Sequence, residues 1–291
     1  MANYTAADIK ALRERTGAGM MDVKKALDEA DGDFEKAIEA IRIKGLKGAA
    51  KREGRSAAEG LVLAKVVDGT KGYLLEINAE TDFVAKSDKF VGLAERVLEV
   101  AVSNDLDTVE ALLEAEVEGK KVSDYVTEEG GAVLGEKIVV RRLAKVEGAY
   151  VDAYLHKTSK DLPAQVGVLF AVDSDSEDAK TAAHDVAVHA AAIAPSFLTR
   201  EEVPEETVAN ERRIAEETAR AENKPEQAMP KIIEGRTNAY FKEHVLVDQP
   251  FAKDPKQSVA QVLEAAGTSA KAFARFRVAP DPRIRPQRQG R

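Results

Sequence analysis

The chain contains no cysteine, which excludes disulfides, thiol catalysis and Cys-ligated zinc or iron–sulfur clusters. Such a composition is compatible with a reducing compartment, and a cytoplasmic location is expected. No apolar run approaches the roughly 18 residues of a membrane span. The first residues, Met1 to Asp8, have neither the basic start nor the apolar stretch of a signal peptide. Aromatics are scarce, at 5% of the chain, so an aromatic side chain on a connecting segment stands out.

A basic excess is lacking as well. The net charge of −8 argues against a dedicated nucleic-acid binder, which needs a concentrated basic face. Two local clusters run against it: Arg42, Lys44, Lys47, Lys51, Arg52 and Arg55, and then Arg283, Arg285, Arg288 and Arg291. Charge runs of this kind read as a solvated linker and a disordered tail.

Bond-making chemistry finds no foothold. Gly45-Leu-Lys-Gly48 and Gly69-Thr-Lys-Gly72 lack the spacing and the hydroxyl of a phosphate-binding loop, and no G-x-S-x-G elbow occurs. The pair His184 and His189 is spaced five apart on a helical pattern, so the rings diverge from a shared metal, and no metal site is expected. His156 falls at a strand end and reads as structural. The many carboxylates lie in helical runs, where i,i+4 ion pairs are the ordinary outcome.

What is present is organised in blocks. Thr5 and Asp33 are caps for helices in a compact three-helix unit, broken at Gly17-Ala-Gly19 and turned at Gly32. Met20 and Met21 sit at the tight turn; they either fill the small core or present an adaptable surface. Residues 44–60, basic and rich in Gly and Ala, read as a linker, either extended or helical in part. Two β-β-α copies follow, with strands at 60–68 and 71–79 before a helix at 87–102, and strands at 149–156 and 165–173 before a helix at 177–192. Acidic, helix-favouring sequence separates them at 105–136. The fold class is therefore α+β.

After Pro195, Thr199-Arg-Glu-Glu202 has the form of a capping box. Polar helical sequence at 206–222, a Pro-containing turn and a second helix at 226–245 read as a projecting antiparallel hairpin. A short helix at 258–265 and a strand at 273–278 close the chain. The expected division is 1–52 (N-terminal helices), 53–148 (first core half with its insert), 149–198 (second core half), 199–246 (hairpin), 247–279 (a small C-terminal module) and 280–291 (a disordered basic tail).

The segment Glu76-Ile-Asn-Ala-Glu-Thr-Asp-Phe-Val-Ala-Lys86 is the most informative. A strand ends there in a polar turn that carries Phe83 just before a helix. The ring either packs under that helix or stands out as a surface knob, and surface aromatics anchor interfaces.

These residues carry a resemblance. Leu12-Arg-Glu-Arg-Thr-Gly-Ala-Gly-Met-Met-Asp-Val-Lys-Lys-Ala-Leu27 and the Glu76–Lys86 segment resemble two signatures of bacterial elongation factor Ts. Pro230-Lys-Ile-Ile-Glu-Gly-Arg236, Gln249-Pro-Phe251 and Asp254-Pro255 are similar to its C-terminal motifs, and the helix pair around Glu211–Arg220 resembles actinobacterial members. The resemblance implies a ubiquitin-associated-like N-terminal domain, a duplicated core, a coiled-coil hairpin and a C-terminal module. It implies a non-enzymatic exchange factor, without cofactor or metal, that releases GDP from the GTPase elongation factor Tu. In the family the Phe matching Phe83 enters the partner's G domain, Asp82 supports it, and Mg²⁺ and the phosphates lose their hold. Thr81, Val84, Ala85 and Lys86 belong to the same segment. By resemblance Lys10, Arg13, Met20 and Met21 grip the G domain, and His156 faces a further domain of the partner. The hairpin is a candidate surface for a homodimer or heterotetramer, and neither membrane nor direct nucleic-acid binding is expected.

Overall fold

The computed structural model describes residues 3–16 and 18–278. Gly17 and the 280–291 tail therefore lie outside the described residues. Helices α1 (Ala6–Thr16), α2 (Met20–Glu29) and α3 (Phe34–Arg52) form the N-terminal unit around Leu12, Val23, Leu27 and Ala37. Thr5 caps α1 reciprocally: the Asp8 amide donates to the Thr5 hydroxyl, and the Thr5 amide donates to the Asp8 carboxylate at 2.7 Å. The Asp33 carboxylate accepts from the amides of Glu35 and Lys36, both at 3.1 Å, and starts α3.

The expected linker divides in two: its first part is the second half of α3, which runs unbroken to Arg52, and 53–58 connect that helix to the first strand. Gly45 and Gly48 weaken a helix by about 1 kcal/mol each, but here Gly45 permits a close approach: a Cβ on it would lie 2.2 Å from Ala132 Cβ. Packing thus overrides propensity. Three of the basic residues are engaged: Arg42 pairs with Glu128, Lys44 with Asp22 at 2.5 Å, and Arg52 donates to the Gly131 carbonyl at 2.8 Å.

The first core half holds β1 (Glu59–Val67) and β2 (Lys71–Ala79), antiparallel across a tight turn. Asp68 and Gly69 both have positive φ, 51° and 71°, which matches the twist a two-stranded turn needs. A short helical turn α4 (Asp82–Ala85) precedes α5 (Asp88–Ser103). The stripe Phe90, Leu93, Ala94, Val97, Leu98 and Ala101 is buried as the periodicity requires. It covers Leu61, Tyr73, Leu75 and Ile77 on one face of the sheet. The insert then folds as α6 (Val109–Glu114), β3 (Glu116–Val117), β4 (Lys120–Lys121), α7 (Val122–Tyr125) and a π-helical stretch, Val126–Ala132. The α3 helix lies against this π-helix.

A third strand, β5 (Val139–Glu147), pairs with β2 and is absent from the sequence reading. A bulge between Glu76 and Ile77 shifts its register by one residue and breaks the alternation that would have shown it.

The second half repeats the plan with β6 (Tyr150–His156), β7 (Val166–Val172) and α8 (Glu177–Ile193). Its third strand comes from the far end of the chain. The two sheets stack face to face through Val62, Leu74, Val146, Val151, Leu169, Ala171 and Phe276, with α5 and α8 on the outer faces. The connection from β2 to α5 spans 80–87, whereas that from β7 to α8 spans 173–176.

Thr199 and Glu202 do not form the expected capping box. The Glu202 carboxylate accepts from the Leu198 amide at 2.7 Å, and one 3-10 turn (Arg200–Glu202) follows. Pro204 holds Val203 extended and delays the helix. The hairpin is α9 (Glu205–Ala221) and α10 (Met229–His244). Strands β8 (Pro250–Phe251) and β9 (Asp254–Ser258) and helix α11 (Val259–Ala265) then pack beside α8, and β10 (Ala270–Arg277) joins β7. A true capping box occurs here, between Ser258 and Gln261.

Candidate functional site

The site is assembled on α4. Strand β2 enters it fully buried through Ile77, Asn78 and Ala79. Behind the strand, Glu76 is fully buried; Arg142 Nε donates to its carboxylate at 2.6 Å, and Arg141 Nε lies 3.7 Å away. Asn78 joins this ladder by accepting from Arg141 Nε at 2.8 Å. A buried carboxylate satisfied in this way fixes the strand end rather than offering chemistry.

Thr81 is the N-cap of α4, and its hydroxyl accepts from the Val84 amide at 3.4 Å. The Ser87 hydroxyl donates to the Val84 carbonyl at 2.8 Å and accepts from the Phe90 amide at 3.3 Å, which ties the end of α4 to the start of α5. Ala85 is 1% exposed and Val84 packs against the first core. Ala85 therefore pins the turn down and offers no surface. Between these anchors Phe83 is 74% exposed, so it does not pack under the following helix. Lys86 Nζ lies 4.6 Å from the ring centroid and 3.7 Å from the Asp82 carboxylate. Asp82, Phe83 and Lys86 thus form one ordered group on a turn held at both ends.

Leaving a phenylalanine ring in water forgoes about 1.5–3 kcal/mol of burial. A single exposed ring on a mobile loop would mean little. Held on an anchored turn, it is fixed in place with its ordering cost already met within the fold.

The other candidate residues are spread over the molecule. Lys10 and Arg13 lie exposed on α1, with Lys10 3.8 Å from Glu14. Met20 and Met21 open α2 at 58% and 75% exposure, so they present a surface and leave the small core to others. His156 is exposed at the end of edge strand β6, with Nδ1 3.2 Å from the Tyr154 hydroxyl. His184 pairs with Asp152. His189 is buried between Gln249 and the Ala252 amide. Among the described residues no group of three or more such ligands is placed to hold a metal ion, and no helix is long and apolar enough to cross a membrane.

The family model described as elongation factor TS matches residues 80–280. The chain belongs to the elongation factor Ts family. The elongation factor Ts of Micrococcus luteus, an actinobacterium, is 73% identical over 278 residues, which is 96% of this chain and 99% of that protein. Those of Pseudarthrobacter chlorophenolicus and of Arthrobacter sp. strain FB24 are each 71% identical over the same span and coverage. The family match begins at the Phe83 turn, and the elongation factor Ts relatives extend the likeness across the N-terminal helices.

Sequence reasoning missed Glu136 at this site. Its carboxylate accepts from the amides of Glu80 and Thr81, both at 3.0 Å, and from the Thr81 hydroxyl at 2.5 Å. Nothing local in the sequence marks a contact made across 55 residues.

Proposed function

We propose that this chain is a guanine nucleotide exchange factor for elongation factor Tu in translation elongation. The carrying observation is Phe83, 74% exposed on the anchored turn α4, in a member of the elongation factor Ts family. The factor binds the GDP-bound partner and inserts Phe83 between helices of its G domain. Asp82 and Lys86 hold the ring's approach. The insertion disturbs the Mg²⁺ and phosphate site of the partner, and GDP leaves.

The physical requirement is a differential affinity. The factor must bind the nucleotide-free partner more tightly than the GDP-bound one, and reciprocity then weakens GDP by the same factor. One ring buried in a pocket supplies about 1.5–3 kcal/mol, roughly ten- to a hundredfold. A larger shift requires contacts that act together. In this reading the N-terminal unit grips the same G domain through Lys10, Arg13, Met20 and Met21, and His156 meets a further domain of the partner. The hairpin α9–α10 offers the surface for a homodimer or a heterotetramer. The factor works in the cytoplasm and needs no acid, base, metal or cofactor of its own, because the bond that breaks is a non-covalent one in the partner.

The test is release of fluorescent GDP from the cognate elongation factor Tu, with wild type and Phe83→Ala side by side. Strong acceleration by wild type, largely lost in the folded variant, supports both the activity and the wedge. No acceleration by wild type overturns the activity. Equal acceleration by both moves the mechanism to other contacts.

A further inference from the structure

The turn that carries Phe83 is held by a residue outside its own segment. The Glu136 carboxylate takes three hydrogen bonds, all from Glu80 and Thr81 at the start of the turn. The exchange is mutual, since the Glu80 carboxylate accepts from the Lys137 amide at 2.7 Å. Hydrogen bonds to an ionised carboxylate are about twice as strong as neutral ones. Among the described residues Glu136 makes no ion pair, so its charge is devoted to these donors.

Val84 and Ala85 hold the far end of the turn by packing, whereas its start is held by these polar contacts. A cleft of about 290 Å³, lined in part by Arg52, Val126, Glu136 and Lys137, separates the end of α3 from this segment. Polar contacts bridge the cleft: Lys137 Nζ donates to the carbonyls of Glu53 and Arg55, just past α3. Arg55 lies 3.3 Å from Glu80. Residues 136–137 therefore hold the Phe83 turn with one side chain and the exit of α3 with the next, directly after the π-helix on which α3 rests.

We propose that Glu136 is a positioning residue for exchange, fixing the height and direction of the Phe83 turn from across the sequence. This rests on the reading of Phe83 as the wedge. Glu136 lies behind the turn and acts through Thr81 and Glu80, so its loss leaves the knob present but loosely aimed. Misplacement of a preorganised group by about 1 Å costs up to a hundredfold in rate.

The experiment is stopped-flow release of fluorescent GDP from elongation factor Tu at increasing concentrations of the full-length factor. It compares wild type, Phe83→Ala, Glu136→Ala, Glu136→Gln and the double variant Phe83→Ala/Glu136→Ala. Glu136→Ala is expected to lower the plateau release rate about tenfold while the half-saturating concentration moves less than about threefold. Glu136→Gln keeps an acceptor for the two amides and restores most of the plateau rate. In the Phe83→Ala background, Glu136→Ala has no further effect. Should Glu136→Ala fail to fold, Glu136→Asp draws the carboxylate back from the Glu80 and Thr81 donors and is expected to lower the plateau in the same way, a wild-type plateau overturning the positioning role.

Loss of plateau rate by Phe83→Ala together with a wild-type plateau for folded Glu136→Ala overturns the positioning role and spares the wedge. An undiminished plateau for Phe83→Ala overturns the wedge itself. An equal loss from Glu136→Ala with and without Phe83 overturns the proposal, since Glu136 would then act elsewhere.

Discussion

Leu169 of β7 lies over Gly72 of β2, and a Cβ on Gly72 would stand 2.9 Å from Leu169 Cδ2. The relation is reciprocal: a Cβ on Gly167 would stand 2.8 Å from Leu74 Cδ1. Val151 crowds Gly72 just as Val62 crowds Gly167. The two halves thus close on each other around an approximate two-fold, each leucine filling the space the opposite glycine leaves.

Gly72→Ala should wedge the two sheets apart. The expected loss is about 1–3 kcal/mol, as for overpacking in a dense core, read as a lower urea midpoint. Gly92→Ala, where nothing lies within 4 Å of the new Cβ, is the control. It should be neutral or stabilising by up to about 1 kcal/mol. An unchanged midpoint for Gly72→Ala contradicts the tight contact.

Lys86→Met removes the cation above Phe83 and the partner of Asp82 but keeps the apolar stem. Stability should stay within about 0.5 kcal/mol, since the site is on the surface. GDP release should slow about two- to fivefold, the worth of an exposed cation–π contact. A rate equal to wild type would show that Lys86 has no part in aiming the ring.

Gly45→Val should lift α3 off the π-helix at Ala132. The expected result is faster amide hydrogen exchange in 45–52 with unchanged protection in β2 and β7. Cooperative loss of protection throughout would show instead that the N-terminal unit and the core unfold as one.

His189 sets an acid dependence. Burial pushes its pKa below the ordinary 6.5, against the opposing hydrogen bond to Gln249. Its Nδ1 accepts from the Ala252 amide at 3.1 Å, so the proton sits on Nε2 and is donated to Gln249 Oε1 at 2.9 Å. The neutral ring fits both partners; the charged ring does not. Below about pH 6.5 the unfolded chain binds a proton that the folded one resists, so stability falls as the pH drops and is flat above. The Asp173 carboxyl, held at about 2 by Ser269 and Thr268, has the opposite origin: its stabilisation is present above 3.8 and is lost as pH falls toward 2. Melting temperatures from pH 8 to 5 should decline, and His189→Gln should flatten that decline. A parallel decline in both proteins would assign the acid sensitivity to other groups.

Much of this molecule was legible because its signals are local. The stripe from Phe90 to Ala101, the Asp68-Gly69 turn and the Asp33 cap each depend on residues within a few positions of one another. The misreadings share the opposite property. The Gly- and Ala-rich stretch around Gly45 read as a linker because its packing against Ala132 lies far off in sequence. Strand β5 was hidden by a bulge that only its pairing with Glu76 and Ile77 reveals. The exposure of Phe83 was open between two readings until Ala85 was seen to take the buried position. Glu136 carried no sign at all, because a carboxylate that caps a distant turn looks like any other in an acidic stretch.

The repeat supplies its own reference for the working turn. Joining strand to helix takes four residues in the second half, 173–176, and eight in the first, 80–87. The excess of four equals the length of α4, Asp82–Ala85. One half of the molecule shows how the same architecture closes without such a turn, so α4 is an addition to the first half, tied into its core through Val84 and Ala85. Shortening 80–87 to the length of its counterpart would remove the Phe83 knob and, with it, Val84 and Ala85, which pack into the first core.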